Sequence, residues 1–188
     1  MRVNVPNSYR RGLELEAGVQ LPYGFFVEGN LTRSVNRISE FTEIIYDYEN
    51  GDVLETVFKN TPIAFSPDWI GASQVGWSVK PSNISWVKKL EIAWISKYVS
   101  DQFLDNTGNS DRILPAYWVQ DLRGSVDFNW SKFPQFQGID FWVNNVLNRE
   151  YVANGYTFSY RYGGLVTERF DYPQAPMNFM VAMRFKIF

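Results

Sequence analysis

The run DYENGD at residues 47–52 packs Asp47, Glu49 and Asp52 around an Asn-Gly pair. Three carboxylates this close suggest a calcium loop, but such a loop needs alternating oxygen ligands closed by a bidentate Glu. Asn-Gly is instead the strongest short signal for a type I′ hairpin turn. The flanking EIIY and VLETVF read as strands, so a hairpin tip is expected here. A second group, Asp121, Arg123, Asp127 and Asn129, recurs every second residue or so. Paired carboxylates invite acid–base chemistry, yet buried charges need partners, and ion pairing is the simpler reading. Glu14 and Glu16, likewise two residues apart on one face, are read as solvated or partnered. The third group is Tyr151, Tyr156, Tyr160, Arg161, Tyr162, Arg169 and Tyr172. Rings and guanidiniums together can take an anionic metal chelate by stacking and bidentate contacts. Tyr156, Tyr160, Arg161, Tyr162 and Arg169 are therefore the candidate ligand-binding set, against the plainer reading of loop packing and an interfacial girdle. No catalytic or metal-binding residue is assigned.

The composition narrows the chemistry. With no cysteine and no histidine, disulfide staples, thiol catalysis and the usual zinc and Ser-His-Asp arrangements drop out. An enzyme is not expected, nor a cofactor. Net charge is −2 with no basic run, which removes the phosphate-neutralising patch of a nucleic-acid binder. Aromatic residues make up 18% of a chain whose mean hydropathy is only −0.26. So many rings among so many polar residues suggest surfaces apolar on one side and wet on the other. No apolar run reaches the length of a membrane helix, and MRVNVPNSYRRG is not a signal peptide.

These groups must be positioned by strands, because period-two alternation runs along nearly the whole chain. Leu13, Leu15, Ala17, Val19 and Leu21 alternate with Glu14, Glu16, Gly18 and Gln20. Similar segments follow at 25–32, 69–79, 90–98 and 118–130, then at 139–147 (Ile139, Phe141, Val143 and Leu147 on one face) and 179–187. Each is long enough to cross a bilayer as a tilted strand. The joins LPYG, KPSNISW and SKFPQF are short, whereas those at 36–66, 100–114 and 148–176 are long. Short turns on one side and long loops on the other describe an outer-membrane barrel. Aromatics near the strand ends, among them Tyr23, Trp69, Trp77, Trp86, Trp118, Phe128 and Trp130, fit its interfacial girdles. The expected fold is all-β, an antiparallel meander of about seven transmembrane strands. An odd set leaves two open edges, which lipid cannot satisfy, so the expectation for 1–188 is a piece of a larger barrel with Met1 at a truncation boundary. The alternative is a stand-alone small β-barrel binding protein closed by oligomerisation.

Several stretches carry a resemblance: NSYRRGLELEAG, IAFSPDWIGASQVGW, KYVSDQFLDNT, LPAYWVQDLRGSVDF, VNNVLNREYVANGYTFSY and YPQAPMNFMVAMRFKIF. Their most specific parts are the N-x-L-N-x-x-Y run from Asn145 to Tyr151 and the final YPQAP-x-NF. In order and coverage they resemble the C-terminal third of a TonB-dependent outer-membrane receptor, in a Bacteroidetes-like style. The resemblance implies a 22-stranded barrel in the bacterial outer membrane, plugged by an N-terminal domain that these residues lack. It implies import of a ligand such as an iron–siderophore chelate, energised through TonB, with membrane lipid, plug and barrel-assembly machinery as partners. It also makes Phe188 the terminal aromatic read by that machinery. Phe188, however, shares its row with Lys186 and Arg184 rather than with Ile187 and Phe185.

Overall fold

The computed structural model describes residues 7–187; Phe188, the expected assembly signal, lies outside them. The strands are β1 (Ser8–Gln20), β2 (Phe25–Asp47), β3 (Asp52–Pro62), β4 (Trp69–Val79), β5 (Val87–Val99), the short β6 (Gln102–Phe103) and β7 (Ile113–Leu114), β8 (Tyr117–Phe128), β9 (Phe136–Asn144), β10 (Val152–Arg161), β11 (Leu165–Pro173) and β12 (Asn178–Phe185). Seven of them form an antiparallel wall in the order β1-β2-β4-β5-β8-β9-β12, curled into a half-barrel. These are the seven strands that the alternation marks. Leu147 is an exception. β9 stops at Asn144 because Asn145 and Asn148 take left-handed backbone (φ 52° and 49°), and Leu147 sits in the turn between them.

The register decides what the alternation means. Val19 pairs with Val27, Val27 with Val75, Val75 with Trp94, Trp94 with Leu122, Leu122 with Val143, and Val143 with Phe179. One apolar row thus crosses all seven wall strands without a break. Toward the short turns a second row runs Val79–Leu90–Val126–Ile139–Met183. The opposite face carries Ser78–Glu91–Ser125–Asp140–Ala182 and Glu16–Asn30–Ala72–Lys97–Val119. A slip of one residue between any two strands would mix these faces. The apolar face is open: Val75 is 50% exposed, Met183 63% and Phe179 80%. A continuous apolar surface of that extent does not stay in water.

Ion pairs occupy the polar face near the short-turn rim. Arg184 on β12 lies between Asp127 of β8 and Asp140 of β9, at 2.5 and 2.7 Å, and Lys89 pairs with Glu91. The Asp127 and Asp140 carboxylates are therefore partners of one guanidinium rather than an acid–base pair.

The three short joins fall on one rim, and rings line it. Trp86 packs on Phe128, Phe128 on Phe136 and Phe136 on Phe185, with centroids 5.8, 5.1 and 5.2 Å apart. In the tightest join Gly24 takes φ +85°, and a Cβ there would lie 2.1 Å from the Ser78 carbonyl oxygen. Only glycine meets both conditions. Gly124 is required for a different reason: the Phe141 ring of the adjacent strand lies over it, 2.2 Å from where a Cβ would be.

At the other rim the long joins build structure of their own. β2 and β3 form a hairpin that rises beyond the wall, β6 pairs with β7, and β10 pairs with β11. β10 then runs beside the end of β2 in parallel, pairing Tyr160 with Tyr46 and Arg161 with Asp47. The last loop therefore arches back across the mouth to the first.

Candidate functional site in the long loops

The expected hairpin tip at 47–52 is present, with a different turn. Asp47 pairs with Asp52, leaving the four residues Tyr48–Gly51 as the loop, and of these Gly51 alone has positive φ (+73°). A type I′ turn would need two such residues in succession. The Asp47 side chain directs the change. Its Oδ1 accepts from the backbone N–H groups of Glu49 (3.0 Å) and Asn50 (3.4 Å), and its Oδ2 accepts from Asn50 Nδ2 (3.0 Å). Arg161 Nε stands 3.8 Å away. Burial pushes the Asp47 carboxyl up, but these hydrogen bonds and the Arg161 charge outweigh it and hold it below its ordinary value. A carboxyl depressed on folding stabilises the turn above its unfolded pKa and loses that contribution as pH falls through the folded one. The tip is thus expected to hold from neutrality down to about pH 4 and to loosen below it. Amide exchange at Glu49 and Asn50 should speed up there, and Asp47→Asn should flatten the dependence; a tip indifferent to pH would contradict this.

Three loops meet at Arg112, which no spacing in the sequence singles out. Its side chain is 3% exposed. Nη1 donates to Glu43 Oε1 of β2 and to Asp105 Oδ2, each at 2.6 Å. Nη2 donates to Ser159 Oγ of β10 (2.6 Å) and Thr167 Oγ1 of β11 (3.4 Å). Burial alone would lower the guanidinium's pKa; the two carboxylates raise it above its ordinary value. Backbone bonds knit the same loops, with Phe65 N–H donating to the Phe103 carbonyl (2.9 Å) and Ala64 N–H to Asn106 Oδ1 (2.8 Å).

The N-x-L-N-x-x-Y run clamps the foot of the last hairpin. Asn145, 3% exposed, accepts from Arg149 N–H at Oδ1 and donates from Nδ2 to the carbonyls of Arg149 and Ala175. Its own N–H donates to Asp121 Oδ1 at 2.9 Å, which accounts for that carboxylate. Asn148 Oδ1 accepts from Met177 N–H across the foot. Tyr151 then packs against Tyr117, centroids 4.7 Å apart and planes tilted by 32°. Burial first, and the Asp121 charge second, push its hydroxyl pKa up. Beside this foot opens a cleft of about 800 Å³, whose lining includes Tyr117, Trp118, Arg149, Glu150, Tyr151, Arg169, Asp171 and three prolines. That is the size of a small-molecule site.

The five candidate ligand residues fall in three places. Tyr156 and Tyr160 join a ring array on one face of the β10–β11 hairpin. Tyr156 stacks on Phe170 (4.9 Å, 10° between planes), Phe158 lies beside both, and Tyr160 meets Tyr48 edge-on at 5.7 Å. The Tyr160 hydroxyl donates to Glu168 Oε1 (2.9 Å), a bond that, ahead of burial, pushes its pKa up. Arg161 stands at the tip opposite Asp47, and Tyr162 lies on the turn, 68% exposed. Arg169 is on the reverse face, in the cleft, where Asp171 holds it at two 2.9 Å contacts and its Nη1 donates to the Ile113 carbonyl. Sequence reasoning missed Arg112, Tyr117, Trp118, Arg149 and Glu150. Trp118, a girdle residue by the strand pattern, also lines the cleft.

Residues 2–146 match the family described as TonB dependent receptor-like, beta-barrel. The chain belongs to that family. The match takes in six of the seven wall strands and ends inside the Asn145 turn. No curated protein matches the chain. TonB-dependent receptors are a transporter family rather than an enzyme family, and their barrels are outer-membrane proteins of bacteria that work with a plug, TonB and a ligand. In this receptor barrel the wall strands carry the family match, while the cleft and last hairpin are mostly built by residues beyond it.

Proposed function

We propose that residues 1–188 form the C-terminal part of the wall of a larger plugged barrel, which imports a small metal chelate such as an iron–siderophore complex. The observation that carries this reading is the unbroken apolar row from Val19 to Phe179, bounded by β1 and β12, each paired on one side alone among the described residues. In lipid every backbone group needs a partner, so those two edges must meet further strands. The apolar row then faces lipid and the polar row a wet lumen. Other copies of the chain would also cover the edges, so the mass of the receptor extracted from outer membranes separates a long single chain from a ring of short ones.

The chelate would be captured in the cleft at the foot of the last hairpin. Tyr117, Trp118 and Tyr151 offer rings there, and Arg149 and Glu150 have no ion-pair partner among the described residues. Tyr156, Tyr160, Arg161 and Tyr162 extend the surface toward the tip. The experiment is iron uptake and chelate binding by the full-length receptor, with and without Tyr151→Ala and Arg149→Ala. Each substitution should weaken binding roughly tenfold, the scale of an interface anchor, while the barrel still assembles. Unchanged binding in both would remove the cleft from the account. Uptake of cobalamins or glycans in place of every chelate would remove the ligand class.

A further inference from the structure

The charges of this chain are sorted along the strand direction. The long-loop segments 36–66, 100–114 and 148–176 hold twelve acidic and six basic residues and carry −6; Arg10 and Arg11 of β1, level with Asn36 and Val35, bring that rim to −4, while the whole chain carries −2. By segment the balance is −4, −2 and 0. The short-turn rim is the reverse: Lys80, Lys88, Lys132 and Lys186 stand on or beside the joins, and segments 80–88 and 129–135 contain no carboxylate. Ion pairing does not blunt the difference. Arg112, Arg161 and Arg169 are held by Glu43 and Asp105, by Asp47, and by Asp171. Glu40, Glu49, Asp52, Glu55, Asp101 and Asp111 have no ion pair among the described residues. Within the cleft the balance is even, Arg149 and Arg169 against Glu150 and Asp171.

Loops with an excess of one sign raise the local concentration of ligands of the other sign and repel their own. We propose that the ligand this barrel takes carries no net negative charge, and is a neutral or cationic chelate. For ferric iron that selects three monoanionic bidentate groups of the hydroxamate kind, whose charges cancel the metal's. Three dianionic catecholates leave the complex triply anionic, and the loops repel it. The arginines that a sequence reading would give to an anionic ligand are already neutralised by carboxylates. This inference rests on the chelate-import reading, and it adds the ligand's charge.

The test uses the full-length receptor in outer-membrane vesicles, with a neutral ferric tris-hydroxamate and a ferric tris-catecholate as probes. The neutral complex should associate roughly tenfold faster or more at low ionic strength, the scale on which surface fields act. Added salt should speed association of the anionic complex and leave the neutral one unchanged. Glu49→Lys combined with Asp52→Lys, at the exposed tip and away from the Arg112 cluster, should raise the anionic rate selectively. A receptor that prefers the catecholate complex, or whose association with it slows as salt is added, overturns the inference and leaves chelate import standing. A receptor that takes neither probe overturns both.

Discussion

Arg112→Ala will loosen all three long loops together and leave the wall folded. The guanidinium is the shared partner of Glu43, Asp105, Ser159 and Thr167, which come from β2, the second loop, β10 and β11. Removing it leaves two largely buried carboxylates, 19% and 23% exposed, facing each other without a cation. Breaking a buried ion pair from one side costs about 3–5 kcal/mol. That cost falls on the loops alone, because the wall is held by its own ladders and by the ion pairs of Arg184. External protease should then cut within 100–114 and 152–173 while sparing those loops in the wild-type protein, and heat-resistant migration of the barrel should stay normal. Adding Glu43→Gln and Asp105→Asn to the variant should recover part of the loss, since the orphaned charges go with it. Equal protease resistance with and without Arg112 would show that the loops stand independently.

Leu122→Arg will be more damaging to assembly than the reverse change at its neighbour, Arg123→Leu. Leu122 lies mid-strand in the apolar row, between Trp94 and Val143. A cation there would sit near the bilayer midplane, where the penalty on the lipid face of a barrel is about 2–4 kcal/mol. Arg123 is on the polar row between Ala93 and Trp142 and makes no ion pair among the described residues. Refolding into lipid vesicles along a denaturant series measures both. Equal midpoints would contradict the facing assigned to the wall.

The wall was legible because its information is local and periodic. Each strand shows its two rows in about ten residues, and pairing like rows fixes the register without further input. The joins were legible for the same reason, as with LPYG and its Gly24. The β10–β11 hairpin was also written in the sequence, since Tyr156, Phe158 and Tyr160 alternate with Thr157 and Ser159. Its place inside a long loop concealed the pattern. The Arg112 cluster could not be read at all. Glu43 lies 69 residues away and Ser159 47, and nothing local distinguishes this arginine from the other seventeen cationic side chains. The hairpin tip failed at a finer level: Asn-Gly marked the turn, but the Asp47 side chain caps a four-residue loop where the dipeptide alone suggests two. The candidate ligand residues were dispersed because strand alternation sends Tyr160 and Arg161 to opposite faces, a consequence that counting tyrosines and arginines in a loop does not capture.

The central claim is that the row Val19–Val27–Val75–Trp94–Leu122–Val143–Phe179 faces lipid and its neighbour faces a wet lumen. These 188 residues hold no cysteine, so in a full-length receptor cleared of any cysteine elsewhere, single cysteines at 121 to 126 each carry one spin label in a native-like bilayer. Accessibility to oxygen, which concentrates in lipid, should peak at positions 122, 124 and 126. Accessibility to a water-soluble nickel chelate should peak at 121, 123 and 125. The reverse phase, or water accessibility at every position, would contradict the barrel-wall account directly.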